Sequence, residues 1–303
     1  SKNVEREISM TPTKQRIHGR SLMILVLSIV LVLLVAACFI FILADRKETS
    51  REAELEQLGV NEQNEQYPEP EERHPVWEKV PLSNLDEEQF QVDGWTVTYP
   101  GAELGVDVSS HQKEIDWAQL KEAGVDFAML QLGYRGYTEG GLFQDESFER
   151  NIADAANQGI DVGVYFFSQA VTVEEAEQEA DFVINVLARR EAPLGVMFDW
   201  ENITEGEART DEVPPEKLTE FALAFCKKIE EAGYRAGVYF NLKQAYTVYD
   251  LDALSDYEFW LAEYCVPPTY EYEFSLWQYT STATLPGIET KVDMNLRFPE
   301  SAE

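Results

Sequence analysis

Two acidic residues in the apolar segment LGVMFDWE (194–201), Asp199 and Glu201, could carry out acid-base chemistry together. The segment predicts a β-strand, in which residues two apart point to the same face with Cα atoms roughly 6 to 7 Å apart. Glycosidic bond hydrolysis uses such a pair, because one carboxylic acid protonates the leaving oxygen and a second, anionic group manages the positive charge at the sugar carbon. The second carboxylate also raises the pKa of the first by repulsion, which keeps the acid protonated near neutral pH.

The Asp-x-Glu pattern of Asp199 and Glu201 is weak evidence alone, because a chain with 56 Asp and Glu residues contains it by chance. Two further acids strengthen it. Asp107 lies in the first predicted strand and Asp293 in the last. In a closed barrel both would lie beside Asp199 and Glu201 at the catalytic face. The alternative interpretation is that the four acids only cap turns or accept backbone hydrogen bonds.

The elements that must position these acids alternate, from Gly105 onward, between short apolar segments and amphipathic helices. This pattern is typical of βα units around a parallel sheet. Three helices are predicted from apolar residues at a 3.6-residue period, around Ile152, Val183 and Phe225. The eight strand candidates are GVDVSS (105–110), FAMLQLGY (127–134), DVGVYFFS (161–168), LGVMFDWE (194–201), AGVYFN (236–241), FWLAEY (259–264), SLWQYT (275–280) and KVDMNL (291–296).

The predicted fold class is α/β, a distorted TIM-like (β/α) barrel with a β-rich second half. A regular barrel of this type usually takes about 250 residues, so some helices must be missing here. The connections after the fifth, sixth and seventh strands are too short or too rich in proline for full helices. An open, doubly wound sheet is the alternative, but no glycine-rich phosphate loop follows any strand.

The region from about residue 103 to 298 resembles the glycoside hydrolases of family 25, which are lysozymes (N-acetylmuramidases). The motifs that carry the resemblance, in order, are GVDVSSHQ, EIDWAQLKEAGVDFAMLQLGYRGY, DESFERNIADAANQGIDVGVYFFSQA, VMFDWEN, GYRAGVYFN, WLAEY, LWQYT and KVDMN. The resemblance implies a distorted barrel with a β-rich second half. It also implies hydrolysis of the β-1,4 bond between N-acetylmuramic acid and N-acetylglucosamine, with peptidoglycan glycan strands as the partner.

The resemblance assigns roles to the four acids. Glu201 becomes the general acid and Asp199 its partner carboxylate, while Asp107 and Asp293 match the remaining active-site acids of the family. The implied mechanism is retaining, either by direct attack of Asp199 or with assistance from the substrate's own 2-acetamido group. The sequence does not choose between the two.

Aromatic residues near strand ends are candidate substrate contacts, because sugar rings present C–H patches that stack on aromatic faces. Tyr165, Tyr239 and Trp277 are preferred, since they resemble recurrent aromatic positions of the family. Strand alternation means that only some such residues face a pocket, and the others belong to the core. Asn241 and Gln278 are weaker candidates for polar contacts.

Two alternatives to a lysozyme stay open. One is a non-catalytic, membrane-tethered module that binds glycans, and the other is a related glycosidase that acts on chitin-like glycans. The presence of both Asp199 and Glu201 favours an enzyme, because a binding module has no physical need of the pair.

The N-terminal region predicts a membrane anchor with a cytoplasmic basic tail (1–21). The uncharged apolar run 22–44 would form a helix of roughly 35 Å, enough to cross a hydrocarbon core of about 30 Å. The positive-inside rule then places the C-terminal domain outside the cell membrane. A cleaved signal peptide normally has a shorter apolar region, of about 7 to 15 residues. A lipoprotein processing site at Cys38 is the other alternative, but the apolar run continues beyond that residue.

The rest of the chain divides into three predicted parts. Residues 45–90 are rich in Glu, Gln, Asn and Pro and predict an extended, acidic extracellular linker. Residues 91–104 alternate polar and apolar side chains around Asp93-Gly94 and predict a small hairpin. Residues 105–303 form the predicted barrel domain.

The composition excludes several other functions. With 24 Lys and Arg against 56 Asp and Glu, the formal net charge is −32, which excludes nucleic acid as the general partner. His18, His74 and His111 lie too far apart for a paired-histidine metal motif, and we predict no metal or cofactor. His111 is interpreted as a turn or helix-start residue. Cys226 and Cys265 could pair outside the cell or stay separate buried thiols.

Overall fold

The structure is a computed structural model that describes residues 76–203 and 206–299. The strands in these residues are β1 (Gln91–Asp93), β2 (Thr96–Thr98), β3 (Glu103–Val108), β4 (Phe127–Arg135), β5 (Leu142–Gln144), β6 (Asp161–Ser168), β7 (Val196–Trp200), β8 (Ala236–Asn241), β9 (Glu258–Ala262), β10 (Leu276–Ala283) and β11 (Val292–Arg297). The α-helices are α1 (Trp117–Glu122), α2 (Phe148–Asn157), α3 (Val173–Leu187), α4 (Leu218–Glu231) and α5 (Leu242–Thr247). Short 3-10 helices cover Glu87–Gln89, Ser110–Gln112 and Pro215–Lys217.

Eight of the strands form a closed barrel, in the order β3-β11-β10-β9-β8-β7-β6-β4, with β4 pairing back to β3. Each corresponds to one of the eight strands predicted from the sequence, so the predicted barrel is confirmed. Its closure excludes the open, doubly wound sheet. The ninth strand of the sheet, β5, pairs with the far end of β4 and forms a hairpin beyond the barrel wall.

The last barrel strand differs from the parallel pattern of the others, because β11 runs antiparallel to both β10 and β3. A parallel return needs a crossover of about a dozen residues or more, and residues 284–291 are too few for one. The longer connection 263–275 does return β10 parallel to β9, without an α-helix. The second half of the barrel is therefore poor in helices, as predicted.

The helices pack on the outside of the barrel through the predicted apolar stripes. Ile152, Val183 and Phe225 are buried in one continuous core between helices and strands. Side-chain caps fix where two of the helices begin. The Thr172 side chain accepts a hydrogen bond from the backbone N–H of Glu175 at the start of α3, and the Asn241 side chain accepts one from the backbone N–H of Gln244 at the start of α5.

A second, smaller apolar cluster fills the inside of the barrel. Phe127, Met129 and Met197 belong to it and are fully buried. Gly105 makes room for the Phe127 ring, since a Cβ there would lie only 2.3 Å from that ring. This packed interior forms the floor on which the polar residues at one end of the barrel rest.

The described part of the segment before the barrel packs against the barrel, although the sequence predicted an extended linker there. Trp77, Val80 and Phe90 are buried in the outer core, and the backbone N–H groups of Glu78 and Lys79 donate to Asp252. These three apolar side chains supply enough buried surface to order a stretch that is otherwise polar. The predicted end of the linker at residue 90 is therefore wrong for the described part, which packs on the barrel from Trp77 onward.

The predicted hairpin around Asp93-Gly94 forms from β1 and β2, which pair antiparallel. Gly94 has φ of 59°, a left-handed conformation that a glycine adopts at little cost. The predicted membrane helix (22–44) and Cys38 lie outside the described residues. Among the residues described, none of the helices combines the length and the apolar character that crossing a bilayer requires.

Candidate active site

The four acids singled out in the sequence meet at one end of the barrel. Asp107 lies near the end of β3, Asp199 lies in β7, and Glu201 directly follows β7. Asp293 is near the start of β11, and because that strand is antiparallel its start lies at the same edge. All four line one cleft of about 550 Å³. The tertiary structure thus brings together carboxyl groups that are up to 186 positions apart in the chain.

Asp107 is held by two amide side chains. Its Oδ2 accepts a hydrogen bond from Gln278 Nε2 at 2.9 Å and another from Asn295 Nδ2 at 2.7 Å. All three residues are buried, with Asn295 on β11 and Gln278 on β10. Two donors on one oxygen stabilise a carboxylate and fix its orientation.

The two amides are themselves oriented by aromatic donors. Gln278 Oε1 accepts from the hydroxyl groups of Tyr239, at 3.1 Å, and Tyr264, at 2.9 Å. Asn295 Oδ1 accepts from Trp260 Nε1 at 2.8 Å. Because their oxygens are occupied, both amides can only point their N–H groups at the carboxylate.

Burial still dominates the ionisation of this acid. It raises the pKa of Asp107 to about 6, against the lowering effect of the two amide hydrogen bonds. Burial also raises the pKa of Asp293 well above its usual range, and the negative charges of Asp107 and Glu201 add to the effect. The two aspartates therefore hold a proton at a pH where exposed carboxyl groups have lost theirs.

Asp199 and Glu201 form the second part of the cluster. Burial, followed by the charges of Glu201 and Asp107 and a hydrogen bond with Glu201, raises the pKa of Asp199 well above its usual range. Within the described part of the chain, Asp199 Oδ1 is buried without a hydrogen-bond partner. The sequence predicted mutual repulsion within this pair, and in the structure, besides burial, the charge of Glu201 is one of the causes that raise the pKa of the more deeply buried Asp199.

The backbone that carries Glu201 is fixed from both sides. Gln169 Nε2 donates to the carbonyl oxygen of Glu201 at 2.7 Å, and Gln244 Nε2 donates to that of Trp200 at 2.8 Å. Trp200 also donates through Nε1 to Ala170 at 3.1 Å. Both glutamines are buried, so the end of β7 is held in one conformation while the Glu201 side chain reaches into the cleft.

Two of the three predicted aromatic contacts lie in the cleft. Tyr165 and Tyr239 line it, and both rings meet Trp260 edge to face, with centroids 5.8 and 4.9 Å apart. Trp260 lines the cleft too, although nothing in the sequence distinguishes it from the neighbouring aromatic residues. Gln278, a weaker candidate, also lines the cleft.

Trp277 does not belong to this site, which corrects the sequence-based prediction. It is fully buried, donates through Nε1 to the carbonyl oxygen of Glu263 at 2.9 Å and packs on Phe90 outside the barrel. The physical reason is strand alternation: Gln278 points into the cleft, so its neighbour Trp277 must point away. Asn241 is likewise engaged elsewhere, since its side chain caps α5.

Other residues of the cleft were missed. Asn295, which lies beneath the cleft and donates to Asp107, could have been found, because it lies two residues after Asp293 and residues two apart on a strand point to the same face. Gln131, Tyr134 and Tyr264 gave no such signal. His111 lies at the rim within a short 3-10 helix that Ser109 caps, as interpreted from the sequence.

The two cysteines in the described part of the chain are not joined to each other. Cys226 and Cys265 are both free thiols; the first contacts the carbonyl oxygen of Gly237 and the second Glu263. No group of three or more His, Cys, Asp and Glu side chains among residues 76–203 and 206–299 is arranged to hold a metal ion. The arrangement of the cleft is suited to acid-base chemistry, with a proton shared among closely spaced carboxyl groups.

Comparison with known proteins agrees with this geometry. The family model described as "Glycosyl hydrolases family 25" matches residues 106–288. An autolytic lysozyme of Clostridium acetobutylicum is 24% identical over 196 residues, which cover 63% of this chain and 54% of the relative. The chain thus spans about half the length of that curated relative.

Among the solved structures that share the fold are two that are similar over about two thirds of this chain or more. The spore cortex lytic enzyme SleM of Clostridium perfringens aligns with a TM-score of 0.59 at 23% identity, over 67% of this chain and 69% of SleM. The modular autolysin LytC of Streptococcus pneumoniae, solved in complex with a synthetic peptidoglycan ligand, aligns with a TM-score of 0.57 at 23% identity, over 72% of this chain and 52% of LytC.

Proposed function

The chain belongs to the glycosyl hydrolases of family 25, and we propose that it is a lysozyme. The proposed reaction is hydrolysis of the β-1,4 bond between N-acetylmuramic acid and N-acetylglucosamine in the glycan strands of peptidoglycan. The names of its relatives support this substrate: one is an autolytic lysozyme, and the autolysin LytC was solved with a peptidoglycan ligand.

The observation that carries the proposal is the meeting of four carboxyl groups in one cleft. Asp107, Asp199, Glu201 and Asp293 come from three strands and a strand end, yet all line the same cavity at the C-terminal edge of the barrel. Each of the three aspartates has a raised pKa. Burying so many acids together is costly, so the cluster is explained better by chemistry than by stability.

The proposed mechanism assigns the proton to the Asp199 and Glu201 pair. Two carboxyl groups joined by a hydrogen bond hold one proton between them, and Glu201, the more accessible of the two, delivers it to the leaving glycosidic oxygen. Asp199, once ionised, faces the positive charge that develops at the sugar carbon. It either attacks that carbon or orients the 2-acetamido group of the substrate to attack it. Water, which gives up a proton to Glu201, then displaces the newly formed bond, so both routes retain the configuration.

The other two aspartates set the charge of the cleft. Asp107 is fixed by Gln278 and Asn295 and cannot reorient, so it acts as a stationary negative group or hydrogen-bond acceptor for the substrate. Asp293 lies opposite Asp107 in the strand pairing, and burial, helped by the charge of Asp107, raises the pKa of Asp293. Tyr165 and Tyr239 supply aromatic surface near these acids, where a sugar ring can stack.

Digestion of purified peptidoglycan and of chitin oligomers, followed by identification of the new reducing end, tests the proposal. A new N-acetylmuramic acid end supports it, whereas a new N-acetylglucosamine end in peptidoglycan would contradict the proposed bond. Cleavage of chitin alone would favour the related glycosidase. Binding of glycan without cleavage would favour the non-catalytic module.

We also propose that the apolar run 22–44 anchors the enzyme in the cell membrane, with the N-terminus in the cytoplasm and the barrel outside. The lack of charge and the length of this run support the proposal, together with the basic residues that precede it. Protease added outside cells with a permeable wall should remove the barrel and leave a membrane-bound N-terminal fragment. An intact, protected barrel domain would contradict this topology.

A further inference from the structure

Exposed aromatic side chains are concentrated beside the acid cleft. Among the described residues, the large hydrophobic side chains that stand out as exposed are Val76, Leu82, Tyr134, Tyr137 and Phe143. The last three lie together on the hairpin of β4 and β5, and we refer to them as the aromatic shelf. Exposed apolar surface gathered at the mouth of a cleft indicates a binding surface, whereas single exposed residues do not.

The shelf is continuous with the cleft. Tyr134 and Tyr137 line the same cavity as the four acids. Phe143 extends it outward, since it lies opposite Tyr134 in the β4–β5 pairing and the two rings stack, with centroids 5.3 Å apart and an angle of 27° between planes. The stacked pair leaves part of each ring exposed and extends the aromatic wall of the cleft away from the acids.

Small residues set the position of the outer ring. A Cβ at Gly141 would lie 3.1 Å from the Phe143 ring, and one at Gly136 would lie 3.4 Å from it. The backbone N–H of Gly136 also donates to the carbonyl oxygen of Gly141 at 2.8 Å, which closes the turn. Because neither position carries a side chain, the ring can rest against the hairpin backbone.

The hairpin is rigid where the shelf is built. Arg135, between Tyr134 and the turn, is buried and donates to Glu179 at 2.7 Å and to the carbonyl oxygen of Gly140 at 2.7 Å. The carbonyl oxygen of Tyr137 accepts from the backbone of Arg209 at 3.0 Å. A rigid aromatic surface binds a ligand without the entropic cost of ordering a loop.

We propose that the aromatic shelf is a distal glycan subsite, which binds a sugar ring of the strand remote from the bond that is cleaved. The inference rests on the proposed function, because it takes a glycan strand as the occupant of the cleft. A strand held at the acids must leave the cleft along one of its walls, and the shelf is the wall with exposed aromatic faces. Sugar rings stack on such faces through their C–H patches, with little dependence on the substituents that distinguish one sugar from the next.

The test compares substrates of different length with the full chain and its variants. Phe143→Ala removes the one ring of the shelf that does not line the cleft with the acids, and Phe143→Tyr keeps a ring that can stack. Leu82→Ala is the matched control, since Leu82 is also an exposed apolar residue but does not line the cleft. Thermal unfolding of each variant establishes that the fold is kept.

We expect Phe143→Ala to lower kcat/KM for long glycan strands by about tenfold, mainly through KM, with a much smaller loss for the shortest oligomer that is cleaved. Phe143→Tyr should recover most of the loss, and Leu82→Ala should behave as wild type with both substrates. Equal losses with both lengths, or no loss with long strands, would overturn the subsite.

A binding measurement separates this inference from the proposed function. In the Glu201→Gln background, the Kd for uncleaved long strands should rise about tenfold when Phe143→Ala is added. If wild type cleaves no glycan but the Kd still responds to Phe143, the lysozyme proposal fails and the shelf stands. If wild type cleaves peptidoglycan and neither KM nor Kd responds, the shelf fails and the lysozyme proposal stands.

Discussion

Asp293 lies directly opposite Asp107 in the antiparallel pairing of β11 with β3, so the strand pair that closes the barrel also sets two carboxyl groups against each other. Like charges in this position repel, and both groups are largely removed from water. Burial raises the pKa of both aspartates, and the negative charge of Asp107 raises the pKa of Asp293 further, so both groups take up a proton more readily than exposed carboxyl groups do. The closing seam of the barrel is therefore sensitive to pH.

Asp107→Asn should make the protein more stable near neutral pH than wild type. The pKa of Asp107 is about 6 in the folded protein against an ordinary value of 3.8. Its protonation therefore adds stability that is fully present below about pH 3.8 and is lost as the pH rises through about 6. The asparagine avoids this loss, which amounts to about 3 kcal/mol at most, because one pKa unit corresponds to about 1.4 kcal/mol.

Urea unfolding of wild type and Asp107→Asn at pH 4, 5.5 and 7.5 measures this effect. The difference in free energy of unfolding should grow in favour of the variant as the pH rises. Asp256→Asn, at an exposed aspartate, is the control and should show no such trend. A constant difference between wild type and Asp107→Asn at all three pH values would contradict the prediction.

Glu201→Gln should keep the fold and lose about 100-fold to 10,000-fold of the activity on peptidoglycan, because an amide cannot deliver a proton to the leaving oxygen. The loss is measured as release of new reducing ends per enzyme. Glu207→Gln makes the same change at an exposed glutamate of the segment after β7 and should retain activity. If a folded Glu201→Gln variant cleaved peptidoglycan at the wild-type rate, another carboxyl group of the cluster would have to be the general acid.

The pH profile of wild-type activity should be bell-shaped. Its alkaline limb reports loss of the proton that Asp199 and Glu201 share, and because burial raises the pKa of Asp199, that limb should lie above the range of ordinary carboxyl groups. The apparent values belong to the coupled cluster of acids. Measurement of kcat/KM from pH 3 to 9 tests this, and an alkaline limb centred near pH 4 would contradict it.

Glu179→Ala should destabilise the protein by about 3 to 5 kcal/mol, since it leaves the buried Arg135 guanidinium without its closest carboxylate partner. Glu177→Ala changes an exposed glutamate of the same helix, α3, and is the control. Chemical unfolding of both variants measures the difference. A loss no greater than that of the control would mean that Arg135 finds an equivalent partner, with Glu175 the nearest candidate at 4.0 Å.

Trp277→Ala should act on stability and leave substrate recognition alone. The side chain is fully buried between the barrel and the segment before it, so its removal should cost about 3 to 5 kcal/mol. KM for peptidoglycan, measured on the folded fraction at low temperature, should match that of wild type. A raised KM with unchanged stability would restore the interpretation of Trp277 as a substrate contact.

The sequence alone determined the strands of the barrel and the acids at their ends. Each strand is a local run of apolar residues, and periodicity along the chain identifies it without knowledge of its neighbours. Asp107, Asp199 and Glu201 could be picked out because a closed barrel leaves the C-terminal ends of their strands at one edge, whereas Asp293, near the start of β11, lies at that edge because the strand is antiparallel. The shortage of helices in the second half followed in the same way, from the length of each connection.

Only the tertiary structure decided which side chains face the cleft. Trp277 and Gln278 are neighbours on β10, and nothing local says which of them points inward; pairing with β9 and β11 fixes that choice. The antiparallel direction of β11, which sets Asp293 against Asp107, depends on how the barrel closes. The burial of Glu179 on α3 likewise depends on a distant residue, because the side chain of Arg135 on β4 donates a hydrogen bond to it. Direction, register and burial depend on contacts between distant segments, and a pattern read along one chain does not contain them.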